Sequence, residues 1–289
     1  MQHRLGSYIF ALAFVCAPWT ARADNHYLLP HWGDPGRIAT DRPGFSFTTE
    51  TVAPGHFLLE SAVDYTYNRD SRVRVAGLTI ITNRDSRVRV DDLTIMPMLG
   101  RLGVTDWLEL RAQWTGLHWV DVDAGQAGEG RGTVVDDSIF GFKVRLLRND
   151  KGTYIPNVSL IASAVVPTGD DALAADAAYP DLRLPWNIPI DEHLTVYGSL
   201  VARVPDYGTR FYEGGLTAAV GYFFDPRIGL YAEYYGLYPA KDERPELNLF
   251  SVGPIWKPFD DFQVDVRLST AVGARSPDFQ TSLGLSFLL

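Results

Sequence analysis

The chain has 289 residues, 46% of them hydrophobic and 21% charged, enough for one large domain or two small ones. Its formal charge is −9, an acidic balance that argues against nucleic acid as a general partner. A single cysteine, Cys16, excludes a disulfide framework.

The first residues read as a secretory signal peptide. His3 and Arg4 make a short basic start, residues 8–19 form an apolar run, and Ala21-Arg22-Ala23 is a small-x-small cleavage sequence before Asp24. The run is shorter than the roughly 20 apolar residues of a membrane helix. Val15 precedes Cys16 where a lipoprotein cysteine calls for a small residue. Cleavage would remove Cys16, Arg4 and Arg22 and no acid, leaving 24 basic against 35 acidic residues, a charge of −11. Residues 24–55 carry Pro30, Pro35, Pro43 and Pro54 and no strand pattern. The chain thus divides into a signal (1–23), an irregular segment (24–55) and an all-β unit (56–289).

From Phe57 onward, apolar and polar residues alternate with period two. Phe57, Leu59, Val63, Tyr65 and Tyr67 oppose Glu60, Asp64 and Thr66. A doubled stretch follows, in which residues 68–82 match residues 83–97 at 11 of 15 positions. Strand side chains alternate with period two, so an offset of 15 cannot keep both copies in one continuous register. The second copy therefore opens a strand over 93–103, with Leu93, Ile95 and Leu99 expected on one apolar face. The first copy is an insertion in the preceding link, an extended hairpin where length is tolerated.

Further along, Leu108, Leu110 and Ala112 oppose Glu109 and Arg111, and Phe140, Phe142 and Val144 oppose Lys143 and Arg145. Leu182 and Leu184 oppose Arg183, Leu200 opposes Arg203, and Val264, Val266 and Leu268 oppose Asp265 and Arg267. The last strand sets Phe279, Leu283, Leu285, Phe287 and Leu289 against Gln280, Ser282 and Ser286. Weaker segments over 157–166, 215–222, 228–237 and 247–256 bring the expected total to about twelve strands, to within two.

Such alternation fits a soluble β-sandwich or a transmembrane β-barrel. The secretory start favours the barrel, and so does the alternation of link lengths. Tight links at 103–106, 189–193, 224–227 and 257–261 alternate with longer polar ones, among them residues 118–133. Aromatics also fall into two belts. Trp107, Phe224, Trp256 and Phe262 lie near the short links, and Tyr65, Tyr67, Trp119, Tyr234, Tyr235 and Tyr238 near the long ones.

The stretches at 40–67 (TDRPGFSFTTETVAPGHFLLESAVDYTY), 103–111 (GVTDWLELR), 140–147 (FGFKVRLL), 164–169 (AVVPTG) and 230–239 (LYAEYYGLYP) resemble a family of proteobacterial outer-membrane transporters of the phenol-degradation meta-pathway type. The likeness runs from about residue 40 to the C-terminus. It implies an antiparallel barrel in the cell outer membrane of a Gram-negative organism, with uptake of small, often aromatic, compounds. It brings no catalytic residue.

On the polar phase, Glu60, Asp64, Glu109, Arg111, Lys143, Arg145, Arg183, Arg203, Glu233, Asp265 and Arg267 are expected to line the lumen. Asp41 and Arg42 centre a candidate plug in which Arg42 pairs with an acid such as Glu60; a periplasmic tail is the alternative for this segment. Arg69, Arg72, Arg74, Arg84, Arg87 and Arg89 form an outer basic loop suited to lipopolysaccharide phosphates. Outer-membrane lipid and an unidentified small solute complete the expected partners. His118, beside Trp119, Asp121 and Asp123, is the best candidate for an enzyme site, but no histidine pair has metal-ligand spacing. Residues 121–132 carry acids at alternate positions like a calcium loop yet end on Gly132 where the closing Glu belongs, and so read as an external loop. No cofactor, metal or catalytic residue is expected. Two function classes remain: a channel or transporter, and a non-conducting surface barrel serving as a structural or adhesive anchor.

Overall fold

The computed structural model describes residues 37–289 apart from 69–71, 76–77, 82–88, 124–128, 150–153, 172, 241–245 and 274–275. The expected signal peptide lies outside the described residues. The strands are β1 (Phe57–Asn68), β2 (Arg72–Val75), β3 (Leu78–Ile81), β4 (Arg89–Thr105), β5 (Leu108–Trp114), β6 (Leu117–Asp123), β7 (Glu129–Val135) and β8 (Ser138–Leu147). They continue as β9 (Asn157–Val166), β10 (Tyr179–Pro189), β11 (Leu194–Arg203), β12 (Glu213–Asp225), β13 (Ile228–Pro239), β14 (Leu247–Phe259), β15 (Phe262–Ala271) and β16 (Phe279–Leu288).

Twelve of these, β1, β4, β5 and β8 to β16, form an antiparallel barrel. It closes because β1 pairs on both sides, Leu58 opposite Leu288 of β16 and Phe57 opposite Leu102 of β4. Closure leaves the wall no open edge, which lipid would not tolerate. No helix among the described residues is long and apolar enough to cross a membrane.

The period-two pattern decides what each face meets. Leu110, Phe140, Leu200, Leu230, Leu268 and Leu283 are exposed on the outside. Ser159, Ser199, Ser251, Ser282 and Ser286 are buried on the inside. A soluble sandwich would bury the leucines, so an outward apolar band around a polar interior marks a membrane-spanning wall. Trp107, Phe224 and Trp256 are exposed near the short links, as the belt requires. Tyr235 departs from its expected belt position, because β13 aims it inward, where it is 6% exposed.

Two further expectations do not hold. Within 118–133, expected to be a loop, the described residues form β6 and β7, which pair with each other, and β6 also pairs with the first half of β4. Nor do Leu93, Ile95 and Leu99 share a face. The β1–β4 register shifts between Ser61 and Val63, and Met96 on β4 has φ 56°. This β-bulge adds one residue to one strand and reverses the inside-out phase beyond it. Before it, Val90, Asp92 and Thr94 are buried; after it, Arg101 and Gly103 are buried and Leu99 lines the interior. At the same level Gly116, with φ +98°, joins β5 to β6, and a Cβ there would lie 2.9 Å from the Ile95 carbonyl. The first repeat copy forms the β2–β3 hairpin, Arg72 opposite Ile81.

Candidate functional site

Residues 37–55 run inside the barrel. The segment enters at the rim of the short links, where the Ile38 amide donates to the Asp260 carbonyl and Lys257 Nζ donates to the Ile38 carbonyl. It rises to an apex at Gly44–Phe47 and returns along the opposite wall. On that return Ser159 donates to the Thr49 carbonyl (2.6 Å), the Thr49 hydroxyl bonds Asn187, and the Val52 amide donates to Glu109. Gly103 has no side chain because a Cβ there would run into the Val52 and Ala53 carbonyls. Small inward hydroxyl residues leave room for this inner chain and also supply it with hydrogen bonds.

Near the rim of entry lies a six-charge cluster of Asp41, Glu60 and Glu109 with Arg101, Arg111 and Lys143. Asp41 meets Arg111 at 2.6 Å, Lys143 at 3.2 Å and Arg101 at 3.8 Å. Arg101 bonds Glu109 through Nε and Nη2 and Glu60 through Nη1, and also donates to the Ala39 and Glu50 carbonyls. The Asp41 amide donates to both oxygens of Glu60. Arg111 completes the cluster on Glu109 at 2.6 Å. Three acids face three bases, so charges that would be costly alone are balanced. Burial pushes the Asp41 carboxyl up, but Arg101, Arg111 and Lys143 outweigh it and hold the group well below the usual carboxylate range.

Arg42 does not pair with Glu60, as the sequence suggested. It pairs with Asp265 at 3.1 Å and donates to Ser282 at 2.6 Å, because Glu60 is already held by Arg101 and the Asp41 amide. Glu233 accepts from the Phe45 and Ser46 amides at 2.7 and 2.6 Å, and the Ser46 hydroxyl bonds Thr217. The remaining polar-phase residues face inward in local pairs: Arg145 with Glu50, Arg183 with Asp181, Arg203 with Glu213 and Arg267 with Asp64.

Arg101, Asp181 and Glu213 escaped the sequence reading. The bulge moves Arg101 from the apparently apolar phase. Asp181 and Glu213 lie at strand starts where the alternation had not yet become visible.

Two phenylalanines of the apex sit among arginines. Phe45 stacks on Tyr235 with centroids 4.3 Å apart, and Arg267 covers its ring at 4.4 Å. Arg183 lies 4.5 Å and Arg111 5.4 Å from the centre of the Phe47 ring. The apex also borders three cavities. One of about 240 Å³, towards the long links, is lined by Phe45. One of about 210 Å³ is lined by Gly44, Ser46 and Phe47, and one of about 170 Å³ by Gly44 and Phe47.

Of the outer basic residues, Arg69, Arg84 and Arg87 lie outside the described residues. Arg72 and Arg74 are on β2, and Arg89 begins β4, paired with Asp91 at 2.7 Å. His118 is buried, and its Nδ1 meets both Asp92 (3.1 Å) and Thr94 (3.0 Å). A relay needs acid and hydroxyl on opposite ring nitrogens, so this arrangement does not activate Thr94. Among the described residues no cluster of metal-ligating side chains occurs.

The family model described as "Putative MetA-pathway of phenol degradation" matches residues 40–289. No curated protein matches the sequence. Among solved structures, an outer membrane channel from Pseudomonas putida F1 is 19% identical with a TM-score of 0.58, covering 86% of this chain and 99% of that one. The translocator domain of the autotransporter NalP from Neisseria meningitidis is 10% identical with a TM-score of 0.49, covering 80% of this chain and 88% of that one. The first of these likenesses is one of fold; the second is too distant to support more.

Proposed function

Since the chain belongs to the phenol-degradation MetA-pathway family, matched over residues 40–289, we propose that it is an outer-membrane channel for small, often aromatic, compounds, closed at rest by residues 37–55 acting as a plug. The observation that carries this reading is the meeting of three cavities at one thin septum, Gly44–Phe47. A barrel serving only as an anchor has no need of cavities on both sides of a septum held by a few hydrogen bonds. The N-terminus and the short links face the periplasm, and the β2–β3 and β6–β7 hairpins face outward. Its outer arginines, Arg69, Arg72, Arg74, Arg84, Arg87 and Arg89, then meet lipopolysaccharide phosphates. Chemistry plays no part in this role, so the protein is not an enzyme. Its work is to bind, select and pass a solute.

Glu233 is the latch of the plug, since its carboxylate accepts two apex amides. Charge-assisted bonds of this kind contribute about 1.5–3 kcal/mol each. Glu233→Gln keeps the shape and removes the charge. The time spent open in planar bilayers should then rise roughly tenfold, the effect of about 1.4 kcal/mol. Deleting residues 26–50 should give a larger and permanent rise in conductance. If neither variant conducts more than the wild type, and neither makes liposomes swell in sugar solutions, the barrel is an anchor rather than a channel.

A further inference from the structure

Most charged side chains inside this barrel meet a partner of opposite sign. Lys257, near the short links, does not. Its Nζ donates to the Ile38 carbonyl at 3.0 Å and lies 5.4 Å from the centre of the Phe223 ring. The charged side chain that bears on it is Arg37, another cation, itself paired with Asp260. A half-buried ammonium without a counter-ion is costly. This one opens on the cavity of about 210 Å³ that borders the apex on the side of the short links.

Among the described residues, no Asp or Glu lines that cavity, and hydrogen-bond donors do. Arg42 reaches it from the inner segment. Its Nε and Nη2 are held by Asp265 and Ser282, which leaves Nη1 for the cavity. Lys257 Nζ has donors to spare beyond its bond to Ile38. Asn187 of β10 accepts from Thr49 through Oδ1, which leaves its amide hydrogens. Thr195 and Tyr197 of β11 add two hydroxyls that no described residue engages.

We propose that this cavity binds one small tetrahedral oxyanion of the phosphate class, and that the bound ion fastens residues 37–55 to the barrel wall. The proposal goes beyond the channel reading and takes from it only the periplasm as the side of entry. Charge supports an anion, because the walls hold two cations and several donors but no carboxylate. Shape supports a tetrahedral one. The donors come from two strands of one wall, from Lys257 on β14 and from the inner segment, whereas a planar carboxylate offers only two oxygens in one plane. Size is sufficient, since an apolar cavity of about 150 Å³ already holds benzene. Arg42 belongs to the inner segment and Lys257 to the wall, so the complete site exists only while the segment is seated. An ion that binds only that state stabilises it.

Inorganic phosphate is the probe. The mature chain in lipid nanodiscs can be titrated with it by calorimetry at pH 7 and constant ionic strength, with empty nanodiscs as the blank. Phosphate should bind saturably with one site per chain, and chloride or acetate about tenfold or more weaker. Lys257→Met, which keeps the stem and removes the charge, should weaken phosphate by about tenfold or more, and Lys257→Arg should restore most of the loss. Tyr197→Phe, which removes one hydroxyl, should weaken it several-fold and keeps the test open if Lys257→Met does not fold. The chain lacking residues 26–50 retains Lys257 but loses Arg42, and should not bind. Binding no greater than to empty nanodiscs would overturn the proposal, as would equal affinity for acetate or undiminished binding by Lys257→Met. Full binding by the deleted chain would show that the ion does not fasten the segment. Conductance of the Glu233→Gln channel is a separate readout. If it rises while no phosphate binds, the site is wrong and the channel stands; saturable binding without conductance would mean the reverse.

Discussion

Arg101 is the residue on which the inner segment depends most. Its guanidinium bonds two acids on neighbouring strands and two carbonyls of the plug, and it is fully buried. Arg101→Met would leave Glu60 and Glu109 short of a cation and free both carbonyls. Removing one partner of a buried pair costs about 3–5 kcal/mol. Urea unfolding of the refolded variant in detergent should show a loss of that size; a loss below about 1 kcal/mol would mean that the cluster is solvated. Asp41 makes a different prediction. It lies on the inner segment rather than on a wall strand, and its carboxyl is held well below the ordinary carboxylate value of about 3.9. A depressed folded-state value contributes stability that is present above the ordinary value and lost only as pH falls through the depressed one. The stability advantage of wild type over Asp41→Asn should therefore stay constant from pH 7 to pH 4.5. An advantage that shrinks between pH 7 and 5 would place the titrating acid elsewhere.

At the scale of elements, the strands were legible and their interruptions were not. All twelve expected wall segments coincide with strands of the barrel, because each carries its own lipid face and lumen face. The Met96 bulge left no such mark. Nothing in 93–103 announces an extra residue, and the apolar phase looks continuous through Leu99 until Arg101 breaks it. The pairing of β6 with β7 was missed for a related reason: four Gly and two Asp within 118–133 read as a loop. The doubled stretch is tolerant for a structural reason. Removing residues 68–82 joins Tyr67 directly to Asn83, which is the residue type that follows Tyr67 in the full chain. The deletion should leave the heat-modifiable migration of the barrel on gels unchanged. Loss of that migration would mean that the β2–β3 hairpin supports the wall.

For the molecule as a whole, the outward orientation of the apolar face decides whether the wall meets lipid or water. Leu283 is 52% exposed on β16, and its neighbour Ser282 faces Arg42 inside. Leu283→Arg would place a charge in the hydrocarbon layer and should cost about 2–4 kcal/mol near the midplane in refolding into lipid vesicles. A cost near zero would mean that this face meets water. The inner face has the opposite logic: its charges are balanced locally and each pair contacts a neighbouring strand or the plug. Closing the barrel and filling it are therefore linked, since Arg145, Asp265 and Glu233 of three separate strands meet Glu50, Arg42 and the Phe45 and Ser46 amides of the inner segment.

The sequence alone determined the class of wall, its approximate strand number and the inward phase of most strands, because period-two alternation is a local property written into each strand. It also singled out Asp41 and Arg42, since a proline-rich segment without a strand pattern is conspicuous before a barrel. Only the tertiary structure decided the partners. Arg42 meets Asp265, 223 residues away, and Arg101 enters the interior through a bulge whose cause lies in the pairing of two strands. Pairing across a lumen depends on barrel closure and strand stagger, which no local pattern encodes. The same holds for the stack of Phe45 on Tyr235, which joins the inner segment to a strand that comes near it only when the wall closes.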